Sequence, residues 1–201
     1  MSTVRKRAVV DVVIKVGGGL LAQPGTFDRV ASTLGRVRRT ARTLVVPGGG
    51  PFADAVRAAG RCTALADDPA HWMAILAMDQ YAHLLASRVR GARLVSGSTA
   101  IRAALAEGWL PVLAPFRWLR RADPLPHSWD ATSDSIAAWV AGVLGARRLI
   151  LIKPAQLDLA LAVDPHFARA LPEQVRPIVL GAGNLRRLGA LLRDRREVAG
   201  E

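Results

Sequence analysis

The chain reads as an α/β protein, a three-layer α/β/α sandwich around a mostly parallel central sheet, on three observations. Apolar runs rich in β-branched residues, at 9–16, 44–46 and 148–153, have the near-continuous hydrophobicity of strands covered on both faces. Segments of helical periodicity separate them, and that alternation builds parallel strands joined by crossover helices. Two of the runs break into glycines, Gly17, Gly18 and Gly19 after the first and Gly48, Gly49 and Gly50 after the second. Loops of this kind put bare backbone N–H groups at the carboxyl ends of strands, where anions are held.

Taken in order, residues 9–16 form a strand, and 26–43 carry Phe27, Val30, Ala31, Leu34, Val37 and Ala41 at helical spacing with arginines opposite. Residues 44–46 are a short strand, and Pro51 suits the first turn of a helix at 52–59. That helix carries Asp54 and Arg57 three apart on one face. A polar connection at 61–69 leads to a long helix near 70–89, striped by Trp72, Ile75, Leu76, Leu84 and Leu85. Then come a strand at 93–95, a helix at 98–107 with Ser98 as its cap, and a strand at 110–114. Residues 116–130 read as a long irregular loop, of the kind that often carries function. A helix at 133–144 and a strand at 148–153 follow. The stretch 154–163 fits no single pattern, 165–170 looks like a short helical turn, 177–180 a strand, and 184–193 the closing helix.

At 201 residues with 51% hydrophobic content, the chain suits one domain over 1–201 with a sizeable core. Cys62 is alone, so no intrachain disulfide forms, and a reducing, cytoplasmic setting is expected. The start at Arg5, Lys6 and Arg7 imitates a signal peptide, but Asp11 and Lys15 interrupt the apolar run behind it. No stretch reaches the roughly 20 apolar residues of a membrane span. The net charge of +12 raises nucleic acid as a partner. The arginine clusters lack interleaved aromatics and no nucleic-acid motif accompanies them, so a solvated basic surface is expected instead.

Lysine is scarce. Of 28 Lys+Arg, only Lys6, Lys15 and Lys153 are lysine, and two of these end apolar strands. A lysine can snorkel from a strand end. Two at matching places point instead to a compact charge meeting a phosphoryl group, a task for which arginine is no substitute. The segment Trp129-Asp130-Ala131-Thr132-Ser133-Asp134-Ser135 opens an apolar helix. Its hydroxyls and carboxylates serve either as caps or as a site in which Asp134 organises both lysines while Thr132 and Ser133 donate to phosphate oxygens. The common nucleotide motifs G-x-G-x-x-G and G-x-x-x-x-G-K-[ST] are absent. His71, His83, His127 and His166 show no metal-ligand spacing, so no protein metal site is expected, though His71 and His127 are placed to touch substrate.

Lys15-Val16-Gly17-Gly18, Gly48-Gly49-Gly50, Thr132-Ser133-Asp134-Ser135 and Leu151-Ile152-Lys153 together resemble the amino acid kinase superfamily, in order and over nearly the whole chain. The resemblance implies a kinase in which ATP, with Mg²⁺ on its phosphates, gives its γ-phosphoryl group to a carboxylate or phosphate acceptor. Longer stretches around Gly48–Arg57, His71–Tyr81 and Ser128–Ser135 are similar to the (5-(aminomethyl)furan-3-yl)methyl phosphate kinases of methanofuran biosynthesis. Carried over, Lys15, Lys153 and Asp134 become the catalytic set. Gly17, Gly18, Gly19, Thr132, Ser133 and Asp158 face nucleotide or phosphate. Gly48, Gly49, Gly50, Asp54, Arg57, His71 and Asp130 face the acceptor; charge complementarity gives Arg57 its phosphate and Asp54 its aminomethyl group, the alternative being that the two form a plain surface ion pair. Family resemblance also implies a homo-oligomer, with the helix near 70–89 as the candidate interface. Two departures stand out: Gly19 where relatives often have Ser, and Pro154-Ala155-Gln156-Leu157-Asp158 where an Asp-x-Asp-Gly segment is common. The readings left open are a kinase of a nucleoside monophosphate or an amino acid carboxylate, a non-catalytic nucleotide or oxyanion binder, and, most remotely, a nucleic-acid binder.

Overall fold

Every residue of strand β1 (Val12–Val16) is buried, because the strand lies inside the sheet and both its faces are covered. The computed structural model describes residues 8–194; Arg5, Lys6, Arg7, Arg195 and Arg196 lie outside the described residues. On one side of β1 runs β2 (Thr43–Pro47) and on the other β5 (Arg148–Lys153), both parallel to it. With β3 (Ala92–Val95), β4 (Leu110–Leu113) and β6 (Arg176–Gly181) they form a six-stranded, all-parallel sheet in the order β3-β4-β2-β1-β5-β6. The glycine segments after β1 and β2 therefore leave the sheet side by side at the carboxyl ends of its strands.

Side chains alternate between two cores. Val12, Ile14 and Val16 pack with α1 (Thr26–Val37) and α9 (Leu188–Arg193), through Phe27, Val30, Leu34 and Leu188. Val13, Val46, Leu149 and Leu151 pack on the opposite face with α6 (Ser133–Leu144) and with Ile101 of α4 (Ser98–Ala106). The long α3 (Asp67–Arg88) serves both, giving Trp72, Ile75 and Met78 to the second core and Tyr81 and Leu85 to the first. The three-layer α/β/α arrangement is the one the sequence predicts. No described helix is long and apolar enough to cross a membrane.

Several boundaries differ from the sequence reading. The helix expected over 26–43 stops at Val37, and Arg42, just before β2, is held by Asp11. Its amide and Nε donate to Asp11 Oδ2 at 3.2 and 3.3 Å, and its Nη2 to Oδ1 at 2.7 Å. The helix expected at 52–59 is α2 (Gly50–Thr63), closed by Ala64 at φ +48°. Residues 116–122 are not loop but a helix, α5 (Phe116–Ala122). Its first N–H, on Phe116, donates to Asp79 Oδ1 of α3 at 3.0 Å, a cap supplied from 37 residues away. The undecided stretch yields α7 (Leu159–Ala162), followed by α8 (Phe167–Ala170). The closing helix is split, a 3-10 stretch at Ala182–Arg187 preceding α9 with a kink at Asn184.

Part of the arginine content is structural. Buried Arg148 donates to the carbonyls of Leu191 and Leu192 at the end of α9, and Arg38 donates to Gly35 O at 3.0 Å. Carbonyls left free at helix ends attract such cations.

Candidate active site

Lys15 follows Val13 by two residues and Lys153 follows Leu151 by two, so strand alternation points both ammoniums to the face covered by α6. Asp134, in the first turn of α6, meets them there. Lys15 Nζ stands 2.9 Å from Asp134 Oδ1, and Lys153 Nζ donates to Oδ1 at 3.0 Å and Oδ2 at 2.8 Å. All three are withdrawn from water, Lys15 to 3% and Asp134 to 5% exposure. Burial is the strongest single influence on Asp134 and raises its pKa, but the two ammoniums together outweigh it and hold the carboxyl below the ordinary range. Burial first, and then repulsion from Lys15, lowers Lys153, with Asp134 pulling the other way. One carboxylate between two ammoniums leaves a positive charge uncompensated. Charge of that kind in a buried place calls for an anion.

The two glycine segments make the floor beside this triad and touch each other. A Cβ on Gly18 would stand 2.3 Å from Gly50 N, and one on Gly48 2.7 Å from Gly18 N. On Gly17 it would meet Ile152 O at 2.8 Å and the Lys153 side chain at 3.7 Å. Only bare backbone fits here. Gly50 also adopts φ +55° at the entry to α2, a conformation glycine takes without strain. Tyr81, fully buried, donates its hydroxyl to Gly17 O at 3.3 Å, tying the first loop to α3.

The start of α6 is held by a residue sequence reading missed. Asp164, between α7 and α8, accepts from Thr132 N at 3.0 Å, Thr132 Oγ1 at 2.8 Å, Ser135 N at 3.0 Å and Ser135 Oγ. Each alternative read from the sequence holds in part, since Asp134 does meet both lysines. The helix is capped, but from a distant carboxylate, and the Thr132 hydroxyl proton expected for phosphate is committed to Asp164. The Asp-Pro pair at 164–165 was visible as a turn signal, with nothing local to say which helix it would cap.

Above the glycines lies a cavity of about 200 Å³, lined by Gly18, Gly19, Gly49, Gly50, Thr132 and Ser133 at one end. Asp54, Arg57, Asp67, His71 and Trp129 add polar and aromatic wall, and Ala74, Ile75, Met78 and Ile136 an apolar strip. Arg57 is bonded to Asp54 at 2.8 Å and lies over the Trp129 ring at 4.4 Å. His71 is buried, and burial together with His127 keeps its imidazole below the usual value.

The other predicted residues fall elsewhere. Lys15, Lys153, Asp134, Gly17 and Gly48 lie outside the cavity's lining. Asp130 is exposed and is engaged through its backbone, with Ser128 Oγ at 3.2 Å and His166 N at 3.0 Å. Asp158 is exposed at the start of α7 and outside the cavity. Next to it, Gln156 covers the end of β6, donating to Val179 O at 3.1 Å and accepting from Gly181 N at 2.9 Å.

This fold and this pair of glycine segments have a known setting. Residues 12–155, well over half of the chain, match the amino acid kinase family, and the chain belongs to that family. Among curated proteins it is similar to the [5-(aminomethyl)furan-3-yl]methyl phosphate kinase of Methanocaldococcus jannaschii, 23% identical over 139 residues, covering 69% of this chain and 63% of that protein. The match thus spans less than two thirds of the relative's length. Among solved structures, the uridylate kinase of Archaeoglobus fulgidus superposes with a TM-score of 0.65 at 16% identity, covering 90% of this chain and 95% of that one. The UMP kinase of Ureaplasma parvum does so with a TM-score of 0.69 at 15% identity, over 92% and 96%.

Proposed function

We propose that the protein is an ATP-dependent kinase that transfers the γ-phosphoryl group to a phosphomonoester, namely (5-(aminomethyl)furan-3-yl)methyl phosphate, giving its diphosphate. The observation that carries the reading is the pair Lys15 and Lys153 closed on one buried Asp134, beside two glycine segments in which Gly17, Gly18, Gly48 and Gly49 leave no room for a Cβ.

An acceptor phosphate is already ionised at neutral pH, so its oxygen attacks the γ-phosphorus without a general base. The new P–O bond forms as the bond to the bridging oxygen breaks, and ADP leaves with the electron pair. The protein's part is positioning and charge stabilisation. Lys15 and Lys153 carry the surplus positive charge to the transferred group, Asp134 fixes them, and the N–H groups of Gly18, Gly19, Gly49 and Gly50 complete the cradle, those of Gly17 and Gly48 being given to the carbonyls of Ile152 and Val16. Both oxygens of Asp134 face lysine, so the fit is with Mg²⁺ arriving on the ATP phosphates, where it neutralises charge on the nucleotide.

The cavity supports the acceptor. Its apolar strip of Ile75, Met78 and Ile136 suits a small ring, and Asp54 and Asp67 offer carboxylates to an aminomethyl cation. The similar phosphate kinase of M. jannaschii points the same way. The test is incubation with Mg·ATP and a panel of the furan phosphate, UMP, aspartate, acetylglutamate and no acceptor, following ADP and the product's mass. Diphosphate from the furan alone is expected. Turnover of UMP or of a carboxylate instead would reassign the acceptor, and ATP binding without turnover would replace the kinase with a nucleotide binder.

A further inference from the structure

Outside the glycine segments, the fold assembles a second set of polar groups that local spacing did not foretell. His71 stands in the first third of α3, and Asp123 and His127 follow α5, yet their rings and carboxylate converge. One ligand atom from each of the three lies within 4.8 Å of the others. The rings of His71 and His127 are nearly parallel, 4.2 Å apart at 17°. His127 Nε2 is 2.8 Å from Asp123 Oδ1, and its Nδ1 is 2.7 Å from Asp68 Oδ1 in the first turn of α3.

We propose that His71, Asp123 and His127 form a zinc-type metal site that clasps the start of α3 to the segment after α5. Two imidazoles and one carboxylate are a donor set for borderline transition ions rather than for Mg²⁺ or Ca²⁺, which take oxygen. Three protein ligands with a fourth position open to water are a common zinc arrangement. Asp68 is placed as its outer partner: ligating histidines regularly give their second ring N–H to a carboxylate, which fixes the ring's orientation. Ligands around zinc at about 2.0 to 2.1 Å stand roughly 3.3 Å apart, so binding draws His71 in and turns its ring out of the stack on His127, while Nε2 of His127 and Oδ1 of Asp123, now 2.8 Å apart, spread slightly to admit the ion. His127 is partly exposed, which gives the ion a way in. Without an ion, a proton between His127 and Asp123 closes the same clasp. Because His71 lines the cavity, the ion would fix one wall of it. The site shares His71 with the cavity of the kinase reading, and metal binding is measured apart from turnover.

The test uses the full chain, stripped with EDTA, dialysed, and titrated with Zn²⁺ alone by calorimetry, with Co²⁺ as a spectroscopic substitute. One ion per chain is expected, with a tetrahedral Co²⁺ spectrum and a rise in Tm. Asp68→Asn should weaken binding about 10- to 100-fold, and His127→Asn and Asp123→Asn by more, while His83→Asn leaves it unchanged. The Tm of each metal-free variant verifies that it is folded. Absence of binding to the wild-type chain overturns the proposal, as does binding that survives unchanged in folded His127→Asn and Asp123→Asn.

Discussion

A methyl group on Gly18 would lie 2.3 Å from the backbone nitrogen of Gly50, so the two loops at the heart of the site are spaced by the absence of side chains. Gly18→Ala must push backbone from backbone. It should abolish turnover and cost stability by an overpacking amount, about 1 to 3 kcal/mol. Gly50→Ala meets nothing closer than 3.4 Å and pays only for its positive φ, about 1 to 2 kcal/mol. Denaturant midpoints and kcat for the two variants make the comparison, and equal damage to kcat would refute the spacing argument.

Asp164 gathers four donors at the start of α6, and Asp134 lies between them in the same first turn. Asp164→Ala should cost about 2 kcal/mol, as for a lost cap with charged-acceptor bonds, and should lower kcat by letting Asp134 drift. Asp164→Asn, which keeps one carbonyl oxygen, should lose less of both. Urea unfolding and steady-state kinetics read the two effects.

The lysines set the pH dependence. Burial first and Lys15 second depress Lys153, so an activity needing its ammonium should fall on the alkaline side below pH ~10.4, where free lysine titrates. Lys153→Arg, if it turns over at all, should lose that limb. In the window between the lowered folded value and ~10.4 the unfolded chain binds more protons, so Lys153 makes stability rise with pH there. Asp134 is depressed in the folded state. Its contribution is complete above pH ~3.9 and is lost as pH falls through the lower folded value. A kcat profile and unfolding curves across pH test both signs.

Arg57 and Asp54 form an exposed pair on the cavity wall. Such pairs contribute about 0 to 1 kcal/mol, so Arg57→Ala should leave Tm nearly unchanged. If Arg57 meets the acceptor phosphate, its loss raises KM for the acceptor while KM for ATP holds. A fall in Tm without a change in KM would make the pair a structural brace.

What the sequence made legible was whatever had a short period. Lys15 and Lys153 stand out as the lysines that end two apolar strands, and the β-branched runs with their glycine exits identify the parallel sheet. What it hid was long-range partnering. Asp79 capping α5, Asp164 capping α6 and Arg42 held by Asp11 each join residues some 30 or more apart, and propensity carries no trace of such bonds. The same holds for His71 and His127, 56 positions apart in the chain and stacked in the fold.

The most direct test of the central claim is a single-turnover measurement of γ-labelled phosphate transfer from Mg·ATP to the furan phosphate, in the wild-type chain and in Lys15→Met and Lys153→Met. Transfer in the wild type, reduced by about 100-fold or more in each variant with the far-UV spectrum unchanged, is the predicted result. Transfer undiminished in both variants, or none in the wild-type chain, would contradict it.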